Sequence, residues 1–132
     1  MQVVIFRIGE EQFAVETNKV QSISDMMEIT KVPKSPQYIK GLINLRGIII
    51  TVLDVNLILE MKESNCKDQN IIILDLKEEA VGITVDAVDE VLDIEDSHIE
   101  KVYNEKEKVY IKGVINLKDR IITLIDLDKL IL

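Results

Sequence analysis

The sequence predicts an all-β protein with short helices, built as a pair of small barrels packed against one another. Three observations carry that expectation. The apolar residues make up 47% of the chain but aromatics only 4%, so the core must be Ile, Val and Leu, whose β-branched members suit pleated sheets. The apolar runs are short and separated by turn-forming residues. The second half of the chain repeats the first, and two similar lobes are the natural reading of a two-copy repeat.

Taken in order, residues 3–8 form an apolar run that reads as a strand, and Gly9-Glu10-Glu11-Gln12 as the hairpin turn that follows it. Pro33 and Pro36 break any regular element between Thr30 and Gln37. Residues 48–53, 71–76 and 121–125 are further strand-like runs, with Lys77-Glu78-Glu79 as a second hairpin turn. Arg46-Gly47 and Lys118-Asp119 occupy equivalent hairpin tips, where Gly47 can take positive φ. Helix is expected only in pieces, at residues 56–61, 97–101 and 127–132.

The repeat is explicit. Tyr38-Ile39-Lys40-Gly41-Leu42-Ile43-Asn44-Leu45 returns 72 residues later as Tyr110-Ile111-Lys112-Gly113-Val114-Ile115-Asn116-Leu117. The match runs on through Ile49/Ile121, Ile50/Ile122, Thr51/Thr123 and Asp54/Asp126. A weaker match, displaced by 68 residues, pairs Phe13-Ala14-Val15 with Val81-Gly82-Ile83, and Val20 and Ile23 with Val88 and Val91. Lobes of about 65 residues would be marginal alone. The expectation is therefore one folding unit over residues 1–132, with subdomains at approximately 1–66 and 67–132 and strand exchange between them possible.

Composition narrows the function. With 16 Lys+Arg against 24 Asp+Glu, the net charge is −8, which repels nucleic acid and anionic membranes. Cys66 is the single cysteine, so no internal disulfide forms and a reducing, cytoplasmic setting is expected. Val3-Val4-Ile5-Phe6 follows the start without a basic leader, which argues against a signal peptide. No apolar run approaches the roughly 20 residues that span a bilayer.

Candidate chemistry is sparse. His98 stands in Glu95-Asp96-Ser97-His98-Ile99-Glu100 and reads as a solvent-facing residue near a short helical turn, without the partner a general base needs. Cys66 lies in a polar stretch, as a bystander in a loop between the lobes. Asp86, Asp89, Glu90, Asp93, Glu95, Asp96 and Glu100 miss the calcium-loop spacing. They read as a solvated acidic face alternating with Val85, Val88, Val91 and Ile94. No cofactor, metal or catalytic residue is expected. Edge strands, hairpin tips and a groove between the lobes are the features left to act.

Four stretches resemble the coupling-protein (CheW) family of bacterial chemotaxis. The first is Glu11-Gln12-Phe13-Ala14-Val15 with Lys19-Val20-Gln21-Ser22-Ile23. The second and most specific is Pro36-Gln37-Tyr38-Ile39-Lys40-Gly41-Leu42-Ile43-Asn44-Leu45-Arg46-Gly47, running on to Leu53-Asp54-Val55. Val81-Gly82-Ile83-Thr84-Val85-Asp86-Ala87-Val88-Asp89-Glu90-Val91-Leu92 is the third, and residues 110–117 with Asp119-Arg120 and Leu124-Ile125-Asp126 the last.

The resemblance implies two five-stranded SH3-like barrels with a hydrophobic core between them. It implies a non-enzymatic adaptor, cytoplasmic and recruited to receptor arrays, that joins chemoreceptor tips to the regulatory domain of the chemotaxis histidine kinase. Carried over by position, Val20, Ile23 and Val91 fall in the receptor-binding groove, and Gly41, Asn44 and Arg46 in the motif required for coupling. Arg46 stands out because its second-copy counterpart is Lys118, and ammonium lacks the planar fork of a guanidinium. Thr51 and Thr123 replace a proline common in the family, which should leave those strands more regular. The chain lacks the longer tails of many members, and its start at Met1 favours a stand-alone adaptor. Two other readings remain: an adaptor of a different chemosensory array, or a small ligand-binding or hydrolytic barrel with a pocket near His98 or the acidic face.

Overall fold

The computed structural model describes residues 1–59, 70–77, 79–101, 110–126 and 128. Eleven strands are described: β1 (Gln2–Ile8), β2 (Glu11–Glu16), β3 (Val20–Asp25), β4 (Ile39–Leu45), β5 (Ile48–Leu53), β6 (Asn70–Leu76), β7 (Glu79–Val85), β8 (Ala87–Asp93), β9 (Ile99–Glu100), β10 (Ile111–Asn116) and β11 (Ile121–Ile125). One α-helical turn, α1 (Val55–Ile58), and two 3₁₀ turns, Thr17–Lys19 and Asp96–His98, complete the described elements. The protein is all-β with short helices, as its aliphatic composition predicts.

The strands form two sheets, ordered β8-β1-β2-β11-β10-β9 and β3-β6-β7-β5-β4. We call the first the flanking barrel and the second the central barrel. Each barrel takes strands from both copies of the repeat. The hairpin β1–β2 completes the flanking barrel, whose other strands come from the second copy, and β6–β7 completes the central one. The exchange is reciprocal. β11 runs parallel to β2 through Thr123↔Phe13, and β5 parallel to β7 through Thr51↔Val81. The weaker closing strand β9 pairs with β10, and its counterpart is a single bridge between Thr30 and Leu42. Thr51 and Thr123 each lie mid-strand with a neighbour on both sides, a position where proline would remove a ladder hydrogen bond.

Three cores result. Val3, Ile5, Ala14, Ile115, Ile122 and Leu124 fill the flanking barrel, and Ile43, Ile50, Val52, Ile71 and Ile73 the central one. The largest lies between the barrels, where Val4, Phe6 and Ile8 of β1 meet Ile72, Leu74 and Leu76 of β6. Phe6 and Phe13 stack there with ring centroids 6.0 Å apart. β1 and β6 bury both faces, with odd residues inside a barrel and even residues between the barrels in each, and this is why they read as unbroken apolar runs.

Several local expectations change. The first hairpin turn is only Gly9-Glu10, because Glu11 and Gln12 already pair with Ile8 and Arg7. The helix expected at 56–61 is a single turn, Val55–Ile58, that begins one residue earlier and is started by Asp54, whose carboxylate accepts the Leu57 N–H at 3.1 Å; residues 60 and 61 lie outside the described residues. At 97–101 the 3₁₀ turn ends at His98 because Ile99 and Glu100 pair with β10. The helix expected over 127–132 lies, apart from Asp128, outside the described residues, as do Glu78 of the second hairpin turn and Cys66. The acidic face is only partly solvated. Asp86 is buried and its carboxylate accepts the Gly9 N–H at 2.7 Å, while Asp89 and Glu90 are half-buried in ion pairs.

Candidate protein-interaction site

The residues singled out from sequence fall on two outer strands, one in each sheet, and on the β4–β5 hairpin. Val20 and Ile23 lie on β3, and Val91 on β8; each of these strands is an outer strand of its sheet. Residues three apart on a regular strand point to opposite faces. Here a bulge intervenes. Val20 opposes Leu74 and Ile23 opposes Ile72, with the register shifting at Gln21. On β8, Val88 opposes Phe6 and Val91 opposes Val4, with the shift at Asp89. Direct cross-strand partners share a face, so all four residues stand on the side of the core between the barrels. Val20 and Val88 pack against it, while Ile23 and Val91 carry it to the surface at 42% and 50% exposure. The spacing of Val88 and Val91 is explained by this bulge; Val85 belongs to the preceding strand, β7.

The remaining location is the β4–β5 hairpin. Arg46 and Gly47 form a two-residue turn with φ of 54° and 87°, the pair of positive values a type I′ turn demands. Asn44 supports it, its side-chain oxygen accepting the Gly47 N–H at 2.8 Å. Arg46 is exposed, next to Ile48 and Ile49 at 63% and 61% exposure. The second-copy tip differs: neither Lys118 nor Asp119 takes positive φ. Gly41 is not at the surface. It is buried on β4, and a Cβ there would overlap the Thr30 carbonyl oxygen and come within 2.6 Å of Ile29 Cγ2. Gly113 repeats the close approach, with the Glu100 oxygen 2.8 Å away.

Electrostatics concentrate on β8. Asp89 accepts from Arg7 Nη2 at 2.6 Å, from Arg7 Nε at 3.4 Å and from Gln12 Nε2 at 2.8 Å. The hydrogen bonds from Arg7, with Gln12 and the charge of Arg120 beside them, hold the Asp89 carboxyl below its ordinary range despite partial burial. Glu90 pairs with Arg120. Near the start of β3, a hydrogen bond to Asp128 raises the Lys19 ammonium above its ordinary value. Sequence reasoning missed both the exposed isoleucines and this cluster. Ile48 and Ile49 read as core because they continue into buried Ile50, and Arg7 and Asp89 are 82 residues apart.

A groove of about 770 Å³ opens beside Tyr38 and Tyr110, lined also by Leu53, Leu57, Glu79 and Val81. His98 is exposed on its 3₁₀ turn and does not line it. The groove lies away from the acidic face as well, so it is not the pocket that a ligand-binding barrel built around His98 would require. Among the described residues no group of three or more His, Cys, Asp or Glu could hold a metal ion, and no helix is long and apolar enough to cross a membrane.

Two pseudo-symmetric barrels sharing a core, with apolar side chains exposed on their outer strands, define a paired-barrel module. The family model for the CheW-like domain matches residues 2–132, and the chain belongs to that family. It is 33% identical to the chemotaxis protein CheW of Thermotoga maritima, over 98% of this chain and 87% of the relative. It is 32% identical to the probable chemotaxis protein CheW of Rhizobium etli, over 98% and 86%. The crystal structure of the scaffolding protein TtCheW from Thermoanaerobacter tengcongensis superposes with a TM-score of 0.87 at 30% identity, covering 95% of this chain and 88% of that one.

Proposed function

We propose that the protein is a non-catalytic chemotaxis adaptor that couples the cytoplasmic tips of chemoreceptors to the regulatory domain of the chemotaxis histidine kinase, in the cytoplasm at the receptor array. The observation that carries the reading is the exposure of Ile23 and Val91 as outward extensions of a fully apolar core. Large aliphatic side chains continuous with a core are stable at a surface but offer a partner area to cover. A receptor tip presented as a helix would lay its apolar stripe along such an edge. The β4–β5 tip supports a second contact, since Arg46 sets a forked cation beside two exposed isoleucines and Arg is favoured at interfaces. The family membership and the scaffold named in the similar structure agree with this role.

Titration of the purified protein against a receptor-tip fragment and against the kinase regulatory domain, separately and together, tests the reading. Micromolar or tighter binding to each, with Val91→Met weakening the receptor contact and leaving the thermal midpoint in place, is the expected result. A well-folded protein that binds neither partner would overturn it.

A further inference from the structure

The outer strands β3 and β8 are equivalent by the repeat, yet among the described residues only β8 has its bulge held by ion pairs; β3 has instead a Lys19–Asp128 pair just before it and an Asn70 side-chain hydrogen bond to the Ser24 carbonyl near its end. Asp89, the bulge residue of β8, is held by Arg7 of β1 and Gln12 of β2. Glu90, beside it, is held by Arg120 just before β11. These ties come from β1, β2 and the residue preceding β11, and they meet at two adjacent residues. At the matching positions of β3 stand Gln21 and Ser22, which carry no charge; Asp75 stands for Arg7, Ala80 for Gln12 and Ile48 for Arg120. An amide and a hydroxyl cannot form the ion pairs.

We infer that Asp89 and Glu90 are positioning residues that fix the bulge of β8 and so present Val91 in a single orientation to the partner, while the equivalent edge on β3 is left adaptable. The inference rests on the adaptor reading for the identity of that partner. The bulge is what turns Val88 and Val91 to one face. Holding its residue by two side chains therefore sets the direction of the exposed side chain two positions on. Fixing a contact before binding removes ordering cost from association. The ion pairs lie near the surface, with side-chain exposures of 49% for Arg7 and 17% for Asp89, where such pairs add little to global stability. Their effect is local geometry.

A double-mutant cycle on the full chain tests this, using a receptor-tip fragment as probe and Asp89→Asn with Val91→Ala as the pair. Asp89→Asn is expected to weaken binding by about fivefold in the natural background and by less than about twofold once Val91 is Ala, because residues acting through one another are not additive. Arg7→Gln should reproduce the loss from the other side of the clamp. Equal losses in both backgrounds, or none, would overturn the inference. Amide hydrogen exchange tests the clamp without any partner. β8 should exchange more slowly than β3 by roughly tenfold, and Asp89→Asn should bring the two together. Equal protection of β3 and β8 in the unmodified protein would refute it. Failure of the unmodified protein to bind the fragment would instead strike the adaptor reading, and exchange at β8 would still decide the clamp.

Discussion

Arg46 and Gly41 come from one motif but do different work. Arg46 holds φ at 54°, a left-handed conformation that costs an L-residue roughly 1–2 kcal/mol. Arg46→Gly should therefore leave the thermal midpoint unchanged or raise stability by up to about 1 kcal/mol, after the greater chain entropy of glycine is offset. It should at the same time weaken partner binding. Lys118→Gly, at a tip without positive φ, should only lose stability. Gly41→Ala forces a methyl onto the Thr30 carbonyl, and overpacking of this kind costs about 1–3 kcal/mol; denaturant melts would register it. The motif was legible in the sequence as a repeat with a glycine and an arginine in fixed places. Which of the two faces solvent was not, because Gly41 is buried by Thr30, eleven positions upstream and on no recognisable element of its own.

Strands that bury both faces were readable as unbroken apolar runs, and β1, β5, β6 and β11 stand close to where composition put them. The outer strands β3 and β8 were harder. Their apolar residues recur every third position, a spacing foreign to a plain strand, and only the bulges at Gln21 and Asp89 reconcile it with one buried side. The acidic residues between them looked uniformly solvated for the same reason, since nothing local indicates that Arg7 lies across from Asp89. The Asp89 carboxyl is held below its ordinary value of 3.8, so the folded state favours its charged form. The stabilisation is complete above that value and is lost as pH falls below it through the depressed folded value. Acid titration should show the natural protein and Asp89→Asn differing by up to about 1 kcal/mol near neutrality. The difference should close in strong acid. A gap that widened on acidification would contradict this account.

At the scale of the whole molecule, the exchanged hairpins should make the two barrels unfold as one cooperative unit. Fragments 1–66 and 67–132 each hold strands of both sheets and complete neither. Each alone should lack the circular dichroism of a folded sheet protein, and an equimolar mixture should regain it. Folding of either fragment alone would show that its strands can close a barrel without the other copy. The repeat was visible as a 72-residue echo of Tyr38 at Tyr110, yet sequence similarity alone left open which barrel each hairpin completes. That is a property of the long-range register between β1 and β8 and between β3 and β6.

The reciprocal exchange also bears on ancestry. A chain carrying one copy would need a second chain to finish its barrel, and the finished object would be a symmetric homodimer. In such a dimer every substitution appears twice, so neither edge can acquire a clamp that the other lacks. Tandem duplication within one reading frame lifts that restriction. Lys118 can then diverge from Arg46, and Asp89 from Gln21, each under its own selection, and a polar object with two unlike sides replaces one with two identical ones.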